Sequence, residues 1–128
     1  MDRKTDAAPA TIYHNPACGT SRTVLAALQA AGLEPRVIEY LKEPPDRKTL
    51  EALLKRMGRH VRDILRKRGT PYEELGLDDP GVNDDAIFAA IAQHPILIER
   101  PIVSIGDKAA LCRPSDVVND LIAAAGKQ

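Results

Sequence analysis

Apolar and polar positions along the chain fall into short blocks, and the changes in their period place the elements. A brief apolar run, Thr11-Ile12-Tyr13, reads as a first strand. From Thr20 or Ser21, either of which suits an N-cap, Val24, Leu25, Leu28 and Ala31 recur at helical spacing. Gly32 ends that helix, where a left-handed residue is common. Pro35 precedes Val37-Ile38-Glu39-Tyr40-Leu41, a second strand. Strand, helix and strand within about 30 residues form a βαβ unit, whose two strands run parallel.

Pro44-Pro45 interrupt the chain, and Asp46 caps a predicted helix carrying Leu50, Leu53, Leu54 and Met57 up to Gly58. A second helical segment is predicted with Val61, Ile64 and Leu65 inward and Arg59, Arg62, Lys67 and Arg68 outward, Arg66 at its end. Gly69-Thr70-Pro71 stops it, and Tyr72 to Leu75 adds a turn. Asn83-Asp84-Asp85 opens a further helix that buries Ile87, Phe88 and Ile91. Beyond His94-Pro95, the run Ile102 to Ile105 is a strand, Gly106-Asp107-Lys108 a hairpin turn, and Ala109 to Cys112 its partner. A final helix opens at Pro114 or Ser115 and turns Val117, Val118, Leu121, Ile122 and Ala125 inward. The sum, βαβ, helices, ββα, is an α/β chain in the thioredoxin order with a helical insertion between the two halves.

Composition narrows the picture. At 128 residues the chain suits one domain, expected over 11–126 with its helical insert at about 46–93, after a flexible polar arm at 1–10. Hydrophobic residues make up 44% and charged residues 28%, which disfavours disorder. Lys+Arg and Asp+Glu both total 18, and the chain has one Phe and no Trp, so neither nucleic acid nor a membrane surface is an expected partner. Met1 to Asp6 carries both signs of charge with no apolar run behind it, unlike a signal peptide. Cys18 and Cys112 make no spaced framework, which points to a reducing cytoplasm. A monomer is expected, and without a spaced Cys/His set no metal is.

Candidate chemistry centres on His14-Asn15-Pro16-Ala17-Cys18-Gly19-Thr20-Ser21-Arg22, between the first strand and the first helix. A cysteine there meets free helix N–H groups and the positive dipole end, which stabilise a thiolate. Asn15, Gly19, Thr20 and Ser21 leave amides able to converge on an anion. The frame is C-x-x-C with Ser21 in the second place; a serine cannot resolve a mixed disulfide, so the resolving thiol comes from elsewhere. Cys112 reads as a strand or core residue. His14 has three readings: electrostatic help to the thiolate, half of a metal pair, or a strand-end residue without a role. Arg100-Pro101 and Arg113-Pro114 put guanidinium groups at two junctions suited to tetrahedral oxyanions.

These segments resemble the glutaredoxin-coupled arsenate reductases of bacteria. The likeness runs through the Cys18 loop, Tyr40-Leu41 with Pro44-Pro45, Val61-Arg62 to Leu65-Arg66-Lys67, and Pro71-Tyr72-Glu73 with Leu75-Gly76-Leu77. It continues through His94 to Ile98, Arg100-Pro101-Ile102-Val103 and Leu111-Cys112-Arg113-Pro114, covering roughly residues 11 to 122. The resemblance implies a thioredoxin-like fold and reduction of arsenate to arsenite on one essential cysteine, Cys18. Its three oxyanion-binding arginines fall on Arg66, Arg100 and Arg113, with a cis bond at Arg100-Pro101. It implies glutathione as co-substrate, glutaredoxin as protein partner and no bound cofactor. His14, Asn15, Gly19, Thr20, Ser21, Arg22 and Pro101 fall in supporting places. Thr23 departs from the asparagine frequent there. Two other readings share the fold: a glutaredoxin-like thiol oxidoreductase, and a non-enzymatic regulator binding RNA polymerase, whose usual C-x-x-C switch Ser21 breaks.

Overall fold

The computed structural model describes residues 9–126. Of the arm expected at 1–10, residues 1–8 lie outside the described residues, as do Lys127 and Gln128 of the tail; Ala10 already opens the first strand. Along the chain the elements are β1 (Ala10–His14), α1 (Gly19–Ala30), β2 (Arg36–Glu39), α2 (Arg47–Met57), α3 (Asp84–Gln93), β3 (Ile102–Ile105), β4 (Lys108–Leu111) and α4 (Val117–Gly126). Short 3-10 turns occupy Val61–Ile64 and Pro95–Leu97. The described residues form two compact units, one of 9–39 with 100–126 and one of Tyr40–Glu99.

In the first unit the strands form one sheet in the order β2-β1-β3-β4. β1 and β2 are parallel, with Ile12 opposite Val37, while β3 runs antiparallel to both β1 and β4. This mixed sheet, with α1 as the crossover, is the thioredoxin-like arrangement. Ile12, Val24, Leu28, Val103, Ile105, Cys112, Val118, Leu121 and Ala125 form its core. The helical period of α1 explains the contribution of Val24 and Leu28. Gly32, at φ 85°, lets α1 end in a Schellman turn: its N–H bonds the carbonyl of Gln29 while the Leu33 N–H bonds that of Leu28.

Two boundaries differ from expectation at the ends of helices. α1 starts at Gly19 with Cys18 as its N-cap, ahead of the expected Thr20 or Ser21. α4 starts at Val117; Pro114 to Asp116 form a turn, with the Val117 N–H bonded to the Pro114 carbonyl. The second strand is shorter than predicted, since Tyr40 and Leu41 have turned out of it.

The second unit caps its helices as expected: Asp46 accepts the Thr49 N–H and Asn83 the Ala86 N–H. α2 buries Leu50, Leu53 and Leu54, and α3 buries Ile87, Phe88 and Ile91. The helix predicted across 59–68 does not form. His60 and Asp63 close a capping box around a single 3-10 turn, after which Leu65 is extended and bridges Ile98. Val61 and Ile64 are three apart, a spacing that one 3-10 turn buries as well as an α-helix does. Arg62, predicted outward, is turned in: its Nη1 donates to the Leu77 carbonyl, and its Nη2 to the carbonyls of Asp79 and Val82. No helix among the described residues is long and apolar enough to cross a membrane.

Candidate active site

The turn between β1 and α1 is built by local hydrogen bonds. The Asn15 side chain accepts the Ala17 N–H at 2.9 Å, and the Asn15 carbonyl accepts the Cys18 N–H at 3.0 Å. Pro16 brings no donor of its own, so this tight turn leaves no N–H stranded there. Cys18 is extended, and its carbonyl takes the first helical bond from the Arg22 N–H. Ser21 is fully buried, with its Oγ 2.6 Å from His14 Nδ1 and accepting the Asn15 N–H at 3.1 Å. One hydroxyl therefore ties the end of the strand to the first turn of the helix. Arg22 Nη1 donates to the Pro16 carbonyl across the outside of the loop, and Gly19 is exposed at the helix start.

The hairpin brings the two C-terminal arginines to this loop. Ile102 pairs with Leu111, and the Cys112 N–H extends the ladder by bonding the Pro101 carbonyl at 2.9 Å. Arg100 and Arg113 thus flank adjacent strand ends, each before a cis proline. Arg113 Nη1 donates to the Arg100 carbonyl at 3.1 Å and lies 3.7 Å from Cys18 Sγ. Arg100 Nε and Nη1 are buried with no hydrogen-bond partner among the described residues. Buried guanidinium donors left this way are costly unless something accepts from them.

The two thiols have opposite electrostatics. Burial works to raise the Cys18 pKa, but the Ser21 N–H, the Arg100 and Arg113 guanidiniums and the Thr20 N–H outweigh it, bringing the thiol down to about 7. The amides act by their orientation at the helix start, since the sulfur closes no cap hydrogen bond and α1 has no acidic residue in its first turn. Cys18 therefore ionises more readily than a free cysteine. Cys112 is fully buried, and burial pushes its thiol up to about 12. His14 is held below its usual value by burial, against the pull of Glu39 and with a smaller push from Arg22. Its ring anchors the Ser21 hydroxyl, a part that none of its three sequence readings gave it.

Cys18, Arg100, Arg113, His14, Asn15, Gly19, Thr20, Ser21, Arg22 and Pro101 belong to one unit. Arg66 belongs to the other. There its Nη1 pairs with Glu99 Oε1 at 2.8 Å and its Nε donates to the Arg68 carbonyl. The Glu99 partner was not foreseen; adjacent to Arg100 in an apolar-flanked run, it carried no local signal. Among the described residues no three His, Cys, Asp or Glu side chains gather as a metal-holding group.

An acidified thiol at a helix N-terminus, beside two arginines on a thioredoxin-like sheet, marks Cys18 as a candidate nucleophile, and comparison with known proteins narrows the class. The chain belongs to the ArsC family, whose model matches residues 13–121. It is 54% identical over 112 residues to an arsenate reductase of Rhizobium meliloti, an alignment covering 88% of this chain and 80% of that one. It is 50% identical over 117 residues to an arsenate reductase of Escherichia coli, covering 91% and 83%. The solved arsenate reductase from Vibrio cholerae is similar with a TM-score of 0.84 at 43% identity, covering 89% of this chain and 98% of that one.

Proposed function

We propose that this protein reduces arsenate to arsenite with Cys18 as the nucleophile. The single observation that carries the reading is the pairing of a stabilised Cys18 thiolate with Arg100, whose buried Nε and Nη1 lack acceptors that a tetrahedral oxyanion supplies. The arsenate reductases similar to this chain name the oxyanion. Arg113, close to the sulfur, shares the negative charge that builds on the oxygens during attack. Arg66 joins the oxyanion set on the strength of the resemblance.

In this reading the Cys18 sulfur displaces water from arsenate and forms a Cys–S–As(V) bond. Glutathione adds its sulfur to the arsenic with loss of a second water. A glutaredoxin thiolate then attacks the glutathione sulfur. The new sulfur–sulfur bond is the mixed disulfide, and the electron pair of the broken arsenic–sulfur bond stays on arsenic, now As(III). Water releases arsenite and returns the Cys18 thiol. Ser21 supports the borrowed-thiol step, because a hydroxyl cannot close a disulfide on Cys18. The test is turnover of arsenate with glutathione and glutaredoxin by wild type and Cys18→Ser; full turnover by the variant sinks the proposal. Reduction of glutathionylated protein without inhibition by arsenate favours simple thiol exchange instead.

A further inference from the structure

Arg22 sits where a helix has least use for a cation. It is the only charged residue of α1 and falls in its first turn, at the positive end of the helix dipole, with no acidic residue there to offset it. Local rules of stability are broken in this way chiefly at functional sites. Among the described residues no carboxylate pairs with Arg22; its one hydrogen bond runs from Nη1 to the Pro16 carbonyl at 2.9 Å and draws the side chain back across the loop. A Cβ on Gly19 would lie 3.7 Å from Arg22 Nη2 and meet nothing else within 4 Å, so the fork lies over the glycine that follows Cys18. Pro16, Ala17, Gly19 and Arg22 are all exposed, which leaves Nε and Nη2 without a protein acceptor on an open face beside the thiol. Against burial, Cys18 is acidified by the Ser21 amide, Arg100, Arg113 and the Thr20 amide; Arg22 is not among them.

We infer that Arg22 is a specificity-determining residue for the thiol that reacts at Cys18: its exposed fork binds a carboxylate of the incoming small-molecule thiol or disulfide and so brings that molecule's sulfur to the loop. This deepens the proposed use of glutathione and rests on it, since glutathione carries carboxylates a few bonds from its sulfur. A planar guanidinium held at one nitrogen by a backbone carbonyl is ordered beforehand, and its unoccupied edge suits the two oxygens of a carboxylate. The arginines of the loop region then divide the work. Arg100 and Arg113, which act on the sulfur, serve the oxyanion, and Arg22, on the outside of the loop, serves the reductant.

The experiment needs no arsenate. Reduced protein is treated with oxidised glutathione or with bis(hydroxyethyl) disulfide, which has no carboxylate, and the adduct is followed by mass. In each case the Cys18 thiolate attacks one sulfur, the reagent's sulfur–sulfur bond breaks, and the other half leaves as its thiolate. Cys112 is fully buried, so the adduct reports Cys18. Both reagents meet the same thiolate, so the ratio of their rates cancels any change in Cys18 ionisation. Arg22→Ala lowers the ratio, glutathione disulfide over the neutral reagent, by about two- to fivefold, as for loss of one exposed ion pair. Arg22→Lys falls between wild type and alanine, since the charge remains and the fork is gone. Arg22→Glu lowers the ratio further than alanine, although a carboxylate suits this end of the helix, so weakening of α1 cannot produce that order. A ratio unchanged in the alanine and glutamate variants, or both rates falling together, overturns the role. The arsenate reading is judged apart, by turnover of Cys18→Ser; should it fail while the ratio still shifts, Arg22 keeps its role toward carboxylate-bearing disulfides.

Discussion

Cys18 and Cys112 are the same side chain in two regions of one unit, and their surroundings drive them apart. At the start of α1, amides and two guanidiniums overcome burial and bring Cys18 to about 7; just past β4, burial acts alone and takes Cys112 to about 12. Depth and donors together separate the reactive thiol from the inert one: Cys18 is half-buried with donors facing its sulfur, and Cys112 is fully buried with burial unopposed. The Ser21 amide, the two arginines and the Thr20 amide together make that difference.

The largest test is deletion of each sulfur. Cys18→Ser is expected to lower arsenate turnover by about a thousandfold or more, as for loss of a nucleophile, whereas Cys112→Ala keeps kcat within about twofold. Equal losses in the two variants erase the distinction. Next come the donors. Arg100→Ala and Arg113→Ala are each expected to raise the arsenate KM by about tenfold or more. Each also moves the midpoint of Cys18 alkylation above about 7, because a lost cation destabilises the thiolate. Lysine at either position holds the midpoint closer to wild type than alanine does but still raises KM, since the charge remains and the fork is gone.

Stability against pH sharpens the contrast, because the two thiols have opposite signs. Cys18 ionises more readily folded than unfolded, so its contribution is present above pH 9 and is lost as pH falls through about 7. Cys112 ionises less readily folded, so its contribution is full below pH 9 and fades as pH rises toward 12. Denaturant titrations of wild type against Cys18→Ser between pH 7 and 9 should show wild type gaining; a flat difference denies the thiolate its special environment. Smallest is Ser21→Ala, expected to cost about 1–3 kcal/mol by stranding the buried Asn15 N–H and a ring nitrogen of His14. Thermal melts measure it, and an unchanged melting temperature denies that the hydroxyl ties strand to helix.

Local pattern carried much of the fold. Helical spacing located Val24 and Leu28, Asp46 and Asn83 marked their helix starts, and Gly106-Asp107 set the hairpin. It failed where partners are remote in sequence. Residues 61–65 satisfy helical spacing over one turn, and only Ile98, more than thirty residues on, makes Leu65 extended. Arg62 looked like one more solvated cation because its acceptors are backbone carbonyls, which have no sequence signature. At the site, Cys18 could be singled out from its place before a helix, and Arg100 and Arg113 from the prolines after them. Ser21 stood out only as a missing thiol; its hold on His14 and Asn15 required the folded turn. Arg66 came through resemblance, and its Glu99 partner through geometry alone.

The three carbonyls gathered by Arg62 have a consequence for motion. Residues 77 to 82 lie in no strand, and beyond the local turns and the buried Leu77 side chain the carbonyls of Leu77, Asp79 and Val82 converge on one guanidinium. Loss of that one side chain therefore unlinks three successive turns at once, and faster amide exchange across 76–82 in Arg62→Ala is the expected result.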